Sequence, residues 1–85
     1  MPIMETDNKE LIVTNIVKEQ LSLYAAAKNL SQNVARLHLI AHLGISGKLL
    51  SHWENNTNQP SLAEAFKIAQ FFGKPIEKIF ITINP

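Results

Sequence analysis

Gly44 stands between two segments that are both patterned as helices, and the break it makes is only a few residues long. Upstream, Val34, Leu37, Ile40, Ala41 and Leu43 recur at helical spacing, with Leu39 beside them. Asn33 or Ser31 supplies a cap for that helix. Downstream, Ser46 is placed to cap a second helix, on which Leu50 and Trp53 lie three apart and face one way. The predicted unit over residues 34–54 is a helix, a tight turn and a helix. Leu50 and Trp53 anchor the second helix inward, which leaves Gly47, Lys48, Leu49, Ser51 and His52 facing out.

The rest of the chain is organised around this unit. Pro60 precedes Ser61-Leu62-Ala63-Glu64, a capping box in which serine and glutamate satisfy each other's orphan amides. Leu62, Ala65, Phe66, Ala69 and Phe72 follow at helical spacing until Gly73, a residue that enters a left-handed turn without penalty. Helices are predicted at about 61–72 and, after Pro75, at about 75–80. Asn55-Asn56-Thr57-Asn58-Gln59-Pro60 has no apolar residue and reads as a surface loop. In the N-terminal third, Val17, Leu21 and Tyr24 fit one helical face, and a helix is predicted from about 15 to 29. Asp7-Asn8-Lys9-Glu10 offers a further capping box, yet Leu11-Ile12-Val13-Thr14 is branched enough for a strand, so residues 10–14 stay open between the two. Phe80-Ile81-Thr82-Ile83 also has strand character, and the two apolar ends can pair within one chain or across two. The expected organisation is an arm over 1–14, a helical domain over 15–80 and a tail over 81–85.

Composition narrows the function. With 85 residues and 46% hydrophobic content the chain suits one small domain with a thin core. The absence of cysteine excludes disulfides and thiol chemistry and points to a reducing cytosol. The polar, acidic start from Met1 to Lys9 has no signal-peptide core, and no apolar run reaches membrane-spanning length, so no membrane partner is expected. The net charge of +1 is small, but its distribution is uneven. From Lys28 to Asn56 the ionised groups are Lys28, Arg36 and Lys48 against Glu54 alone, whereas Glu5, Asp7, Glu10 and Glu19 crowd the first twenty residues.

Leu43-Gly44-Ile45-Ser46, Leu50-Ser51-His52-Trp53-Glu54-Asn55, Pro60-Ser61-Leu62, Lys67-Ile68-Ala69 and Phe80 together resemble the Cro/C1-type (Xre-family) helix-turn-helix domain over roughly residues 34–80. The resemblance implies an all-α domain of five packed helices, with a short terminal strand as a possible addition, that binds double-stranded operator DNA as a homodimer. In that family the second helix of the motif enters the major groove through its N-terminal side chains. Gly47, Lys48 and His52 occupy the positions where members read bases, with Leu49 and Ser51 as groove-facing neighbours and Ser46 at the helix start. Arg36 stands where members place a phosphate-binding glutamine, and Asn55 and Asn56 match a turn that clamps the DNA backbone. Gly47 has no side chain with which to read, Leu49 replaces a small polar residue, and Ile40 takes a place that is commonly alanine. Leu30-Ser31-Gln32 resembles the usual start of the motif's first helix but lies about four residues early. An extended helix or a shifted boundary near residue 30 would account for it.

Other chemistries find little in the chain. His38 and His42, four apart on one helix, have a spacing that holds metals elsewhere, but no third ligand is near them and no metal or other cofactor is expected. Asp7 is the sole aspartate, and neither a nucleophile elbow nor a glycine-rich phosphate loop is present, so an enzyme is not expected. Trp53 reads as a core anchor, and Phe66, Phe71, Phe72 and Phe80 read as core or dimer interface. Two readings follow. One is a homodimeric, repressor-like regulator. The other is a protein-interaction module of the HipB or HigA antitoxin kind, which binds a toxin partner and its own promoter.

Overall fold

The computed structural model describes residues 12–83 and holds four α-helices and a two-stranded ribbon. In chain order these are β1 (Ile12–Asn15), α1 (Val17–Lys28), α2 (Gln32–Leu43), α3 (Gly47–Glu54), α4 (Leu62–Phe72), a 3-10 turn (Ile76–Lys78) and β2 (Phe80–Ile83). The possible capping box at Asp7–Glu10 lies outside the described residues.

Serines begin three of the helices. The Ser31, Ser46 and Ser61 hydroxyls accept from the amides of Val34, Leu49 and Glu64, at 3.1, 3.1 and 3.2 Å. Each satisfies a donor that the first turn of a helix leaves unpaired. Glu64 completes the predicted capping box by accepting from the Ser61 amide at 2.8 Å. Gly44, at φ 69°, ends α2 in the left-handed conformation that side chains resist, and its amide closes onto the Ile40 carbonyl. This tight ending lets α3 start three residues later.

One core joins the four helices and the residue that follows the 3-10 turn. Val17, Leu21 and Ala25 from α1, Ala35 and Leu39 from α2, Leu50 and Trp53 from α3, and Ile68 and Ala69 from α4 are buried together with Ile79. The α1 face follows the predicted periodicity through Val17 and Leu21, whereas on α4 Ala65, Ile68 and Ala69 are buried and the predicted core residues Leu62 and Phe66 lie exposed. In α2 only Ala35 and Leu39 are buried, while Leu37 is 54% exposed, which leaves an apolar surplus on its outer side.

One expectation is revised and two open alternatives are resolved. The helix predicted at 75–80 is a three-residue 3-10 turn, so the described residues hold four α-helices and not five. Pro75 suits a first turn, but the chain passes from Ile79 directly into β2, and the Ile79 carbonyl accepts from the Ile16 amide at 3.0 Å instead of continuing a helix. The open segment 10–14 resolves, over its described part, as a strand. β1 pairs antiparallel with β2, Ile12 opposite Ile83 and Asn15 opposite Phe80, within the one chain. Branched Ile12, Val13 and Thr14 keep their rotamers at less cost in a pleated ribbon than in a helix. Lastly, α2 begins a turn earlier than the motif demands, at Gln32, and so absorbs the displaced Ser31-Gln32 pair. Gln32 is held against α1, where it accepts from the Ser22 hydroxyl at 3.0 Å.

Candidate nucleic-acid interface

Three ties place α3, one at its start, one along its side and one at its end. At the start is the Ser46 cap. Beneath, Leu50 and Trp53 are sealed in the core. Of the outward residues Ser46, Lys48 and His52 are exposed, and Gly47, Leu49 and Ser51 are half-buried. The predicted groove-facing set is thus collected on one two-turn helix. No acidic side chain lies between Lys28 and Glu54 to oppose an approaching anion.

Along the side runs Arg36. Its Nε donates to both Glu54 carboxylate oxygens at 3.1 Å, and its Nη2 donates to the Ser51 hydroxyl at 2.9 Å and, at 3.4 Å, to the Gly47 carbonyl. Among the described residues this is the one ion pair. The guanidinium therefore reaches from the first turn of α3 to its last. The sequence suggested a phosphate contact for Arg36, but in the free protein its Nε and Nη2 donors are turned onto α3. The reason is the partner: Glu54, eighteen positions on, is a carboxylate with only 10% of its side chain exposed, and it needs a counter-charge.

At the end of α3, Asn56 takes φ 57° and reverses the chain. Its side-chain oxygen accepts from the Asn15 amide at 2.8 Å, and its nitrogen donates to the Asn15 carbonyl at 3.2 Å. The Asn56 side chain is thus committed within the protein, whereas Asn55 is exposed and caps α3 through its backbone. Thr57 folds back onto the helix, its hydroxyl donating to the His52 carbonyl and lying 3.1 Å from His52 Nδ1.

Gly47 and Ile40 meet where α2 and α3 cross. A Cβ placed on Gly47 would lie 3.6 Å from Ile40 Cδ1, an ordinary van der Waals contact, and Gly47 does not have a positive φ. The glycine is therefore not demanded by the backbone, and a Cβ fits at ordinary contact distance.

The two histidines of α2 go to different neighbours. His38 Nδ1 lies 3.0 Å from the Tyr24 hydroxyl, and His42 packs its ring 5.3 Å from that of Phe71. No three metal-ligating side chains converge among the described residues. No helix among them is long and apolar enough to cross a membrane.

Sequence reasoning missed Asn15, Gln59 and Thr57, which hold the loop after α3, and the pairing of Glu54 with Arg36. The signal for Asn15 was modest: an asparagine two residues before an apolar helical face, where its side chain can accept from the amide of Val17.

Comparison with known proteins agrees with this geometry. The model of the helix-turn-helix family matches residues 41–79, which take in the end of α2, all of α3 and α4. An uncharacterized HTH-type transcriptional regulator of Methanocaldococcus jannaschii is 43% identical over 65 residues, covering 76% of this chain and 92% of the relative. The chain belongs to the helix-turn-helix family. The resemblance read from Leu43–Ser46 and Leu50–Asn55 is thereby borne out, and family membership extends beyond the motif to most of the described chain. The fold recurs in the crystal structure of a transcriptional regulator from Listeria innocua, with a TM-score of 0.55 at 14% identity. That match covers 76% of this chain, which spans 57% of the length of the Listeria chain.

Proposed function

We propose that the protein is a DNA-binding transcriptional regulator that acts as a repressor-like homodimer and inserts α3 into the major groove. The observation that carries this reading is the presentation of α3. Its inner face is locked by Leu50 and Trp53, while Ser46, Lys48 and His52 stand exposed with Leu49 and Ser51 at their flanks. A short rigid helix with a free N-terminal face is what major-groove reading requires, and membership of a helix-turn-helix family supports it.

Within this reading Lys48 neutralises a phosphate or donates to a guanine edge, and Ser51 and His52 supply hydrogen bonds to bases. The Leu49 methyls suit a thymine methyl. Ser46 and Asn55, at the two ends of α3, are suited to phosphates. Gly47 reads nothing itself and brings the helix backbone close to the groove. Arg36 and Asn56 act through the placement of α3.

Homodimer formation draws support from apolar side chains that the single chain leaves uncovered. On one face of the ribbon stand Ile12, Ile81 and Ile83, and on α4 Leu62 and Phe66 are exposed by 70% and 51%. Two copies would set two α3 helices about one DNA turn, roughly 34 Å, apart.

The test is a gel shift with the protein's own upstream DNA and with a scrambled duplex, from low salt upward. Preferential retardation of the upstream duplex is expected. No retardation even at low salt would end the reading.

A further inference from the structure

Asn15 is the last residue of β1, far in sequence from the recognition helix, and it is 5% exposed. All its polar groups are used. Its Nδ2 donates to the Trp53 carbonyl at 2.9 Å and to Gln59 Oε1 at 2.8 Å, and its Oδ1 accepts from the Val17 amide at 2.9 Å. Its backbone amide and carbonyl are both taken by the Asn56 side chain. Asn56 therefore does at this edge of the ribbon what a neighbouring strand would do, supplying one acceptor and one donor. Gln59 closes the circuit by donating from Nε2 to Asn56 Oδ1 at 2.9 Å.

Geometry of this kind has one consequence for α3. The helix is eight residues long, and its last carbonyls have no partners within the helix. Trp53 is the residue whose side chain anchors α3 in the core and whose carbonyl Asn15 holds. The terminal ribbon and the C-terminal turn of α3 are thus one hydrogen-bonded unit, joined by a buried amide.

We infer that Asn15 is a positioning residue for DNA recognition, coupling the pairing of the terminal ribbon to the pitch of α3 and the loop that follows it. The inference rests on the proposed role of α3 in the groove. Asn15 touches no DNA in this account. It fixes where Lys48, Ser51 and His52 arrive. Loss of the tie lowers sequence discrimination more than it lowers general affinity, because phosphate attraction tolerates a tilted helix and base contacts do not.

The experiment compares wild type with Asn15→Asp, Asn15→Ala and Asn56→Gly. Asn15→Asp keeps the acceptor for Val17 and loses both donated bonds, while Asn56→Gly keeps the reversed turn and loses the edge contact. For variants that circular dichroism shows to be folded, affinity for the upstream duplex should fall about tenfold. Affinity for a scrambled duplex should change less than about twofold, and the salt slope should be unchanged, since no phosphate contact is removed. Equal losses on both duplexes, or no loss on either, overturn the inference. Should Asn15→Ala fail to fold, Asn56→Gly carries the comparison. Hydrogen exchange on the free protein separates this inference from the DNA reading. In Asn15→Asp the amides of Asn55, Asn56 and Thr57 should exchange about tenfold faster, while those of α4 keep their wild-type rates. Unchanged exchange at these three amides refutes the coupling whether or not the protein binds DNA.

Discussion

Removing Arg36 tests how α3 is held. Arg36→Ala takes away two hydrogen bonds to the Glu54 carboxylate and one each to the Ser51 hydroxyl and the Gly47 carbonyl, and leaves a charge with 10% of its side chain exposed without a partner. Breaking a fully buried pair costs about 3–5 kcal/mol. An exposed pair contributes only about 0–1 kcal/mol. Glu54 sits near the first limit, but the Arg36 side chain is 23% exposed, so water partly replaces what is lost. The expected cost is about 2 kcal/mol, a large share of the stability of a domain this small. Glu54→Gln keeps one acceptor oxygen for Nε and loses the other together with the charge, so it should cost about 1 kcal/mol. Urea unfolding followed by Trp53 fluorescence measures all three quantities needed: the two alanine variants at 36 and 54, and their double. The double variant should be more stable than the sum of the single losses predicts, by about 1 kcal/mol or more. Additivity, or a cost for Arg36→Ala under about 0.5 kcal/mol, would refute the clamp. The same variant bears on DNA. A guanidinium already paired with a carboxylate adds nothing to counterion release, so Arg36→Ala should weaken binding without flattening its salt dependence. A slope reduced by about one unit per subunit would restore the phosphate contact that the sequence suggested.

Trp53→Ala should destabilise by about 3–5 kcal/mol, since its ring is buried at the centre of the core, and free quenching of native Trp53 by iodide would contradict this. Lys48→Ala should cost roughly 1–3 kcal/mol of binding to the upstream duplex if the lysine meets a base, as a titration by fluorescence anisotropy reads directly. Gly47→Gln should leave stability within about 1 kcal/mol, because the added Cβ meets only Ile40 at contact distance, and should raise affinity by giving the groove a side chain; a weaker complex would sink that expectation. Sedimentation equilibrium at micromolar concentration should give the mass of a dimer, and deletion of Phe80 to Pro85 should weaken it.

The parts of this fold that were legible are those specified by near neighbours. Ser61, Glu64 and Gly73 mark both ends of α4 within a dozen residues, and Ser46 with Leu50 and Trp53 does the same for α3. Pro75 was ambiguous, because a first-turn proline begins a 3-10 turn as readily as a longer helix. The decision lay in Ile79, whose carbonyl is needed by Ile16. Pairing of Ile12 with Ile83 is a contact between the two ends of the chain, and branched residues alone gave two candidate strands but not their register. The same distance hid the supports of the site. Arg36 reads as a free cation until Glu54 is seen beside it, and Asn15 and Gln59 read as loop residues until the ribbon brings them to Trp53. On α3 the period placed Leu50 and Trp53 inward and Lys48 and His52 outward, but it did not show that Gly47, Leu49 and Ser51 are half-buried. What holds α3 in place depended on partners at separations that no periodic pattern records.

The central claim is that the exposed face of α3 is the surface that meets DNA. A nitrogen-15 NMR titration with the upstream duplex tests it residue by residue. Amide resonances from Ser46 to Asn55 should move most, with Gly47, Lys48, Ser51 and His52 foremost, while those of the outer face of α4, around Phe66 and Gln70, stay in place. Shifts centred on α4 or on the ribbon, with α3 unmoved, would contradict the account.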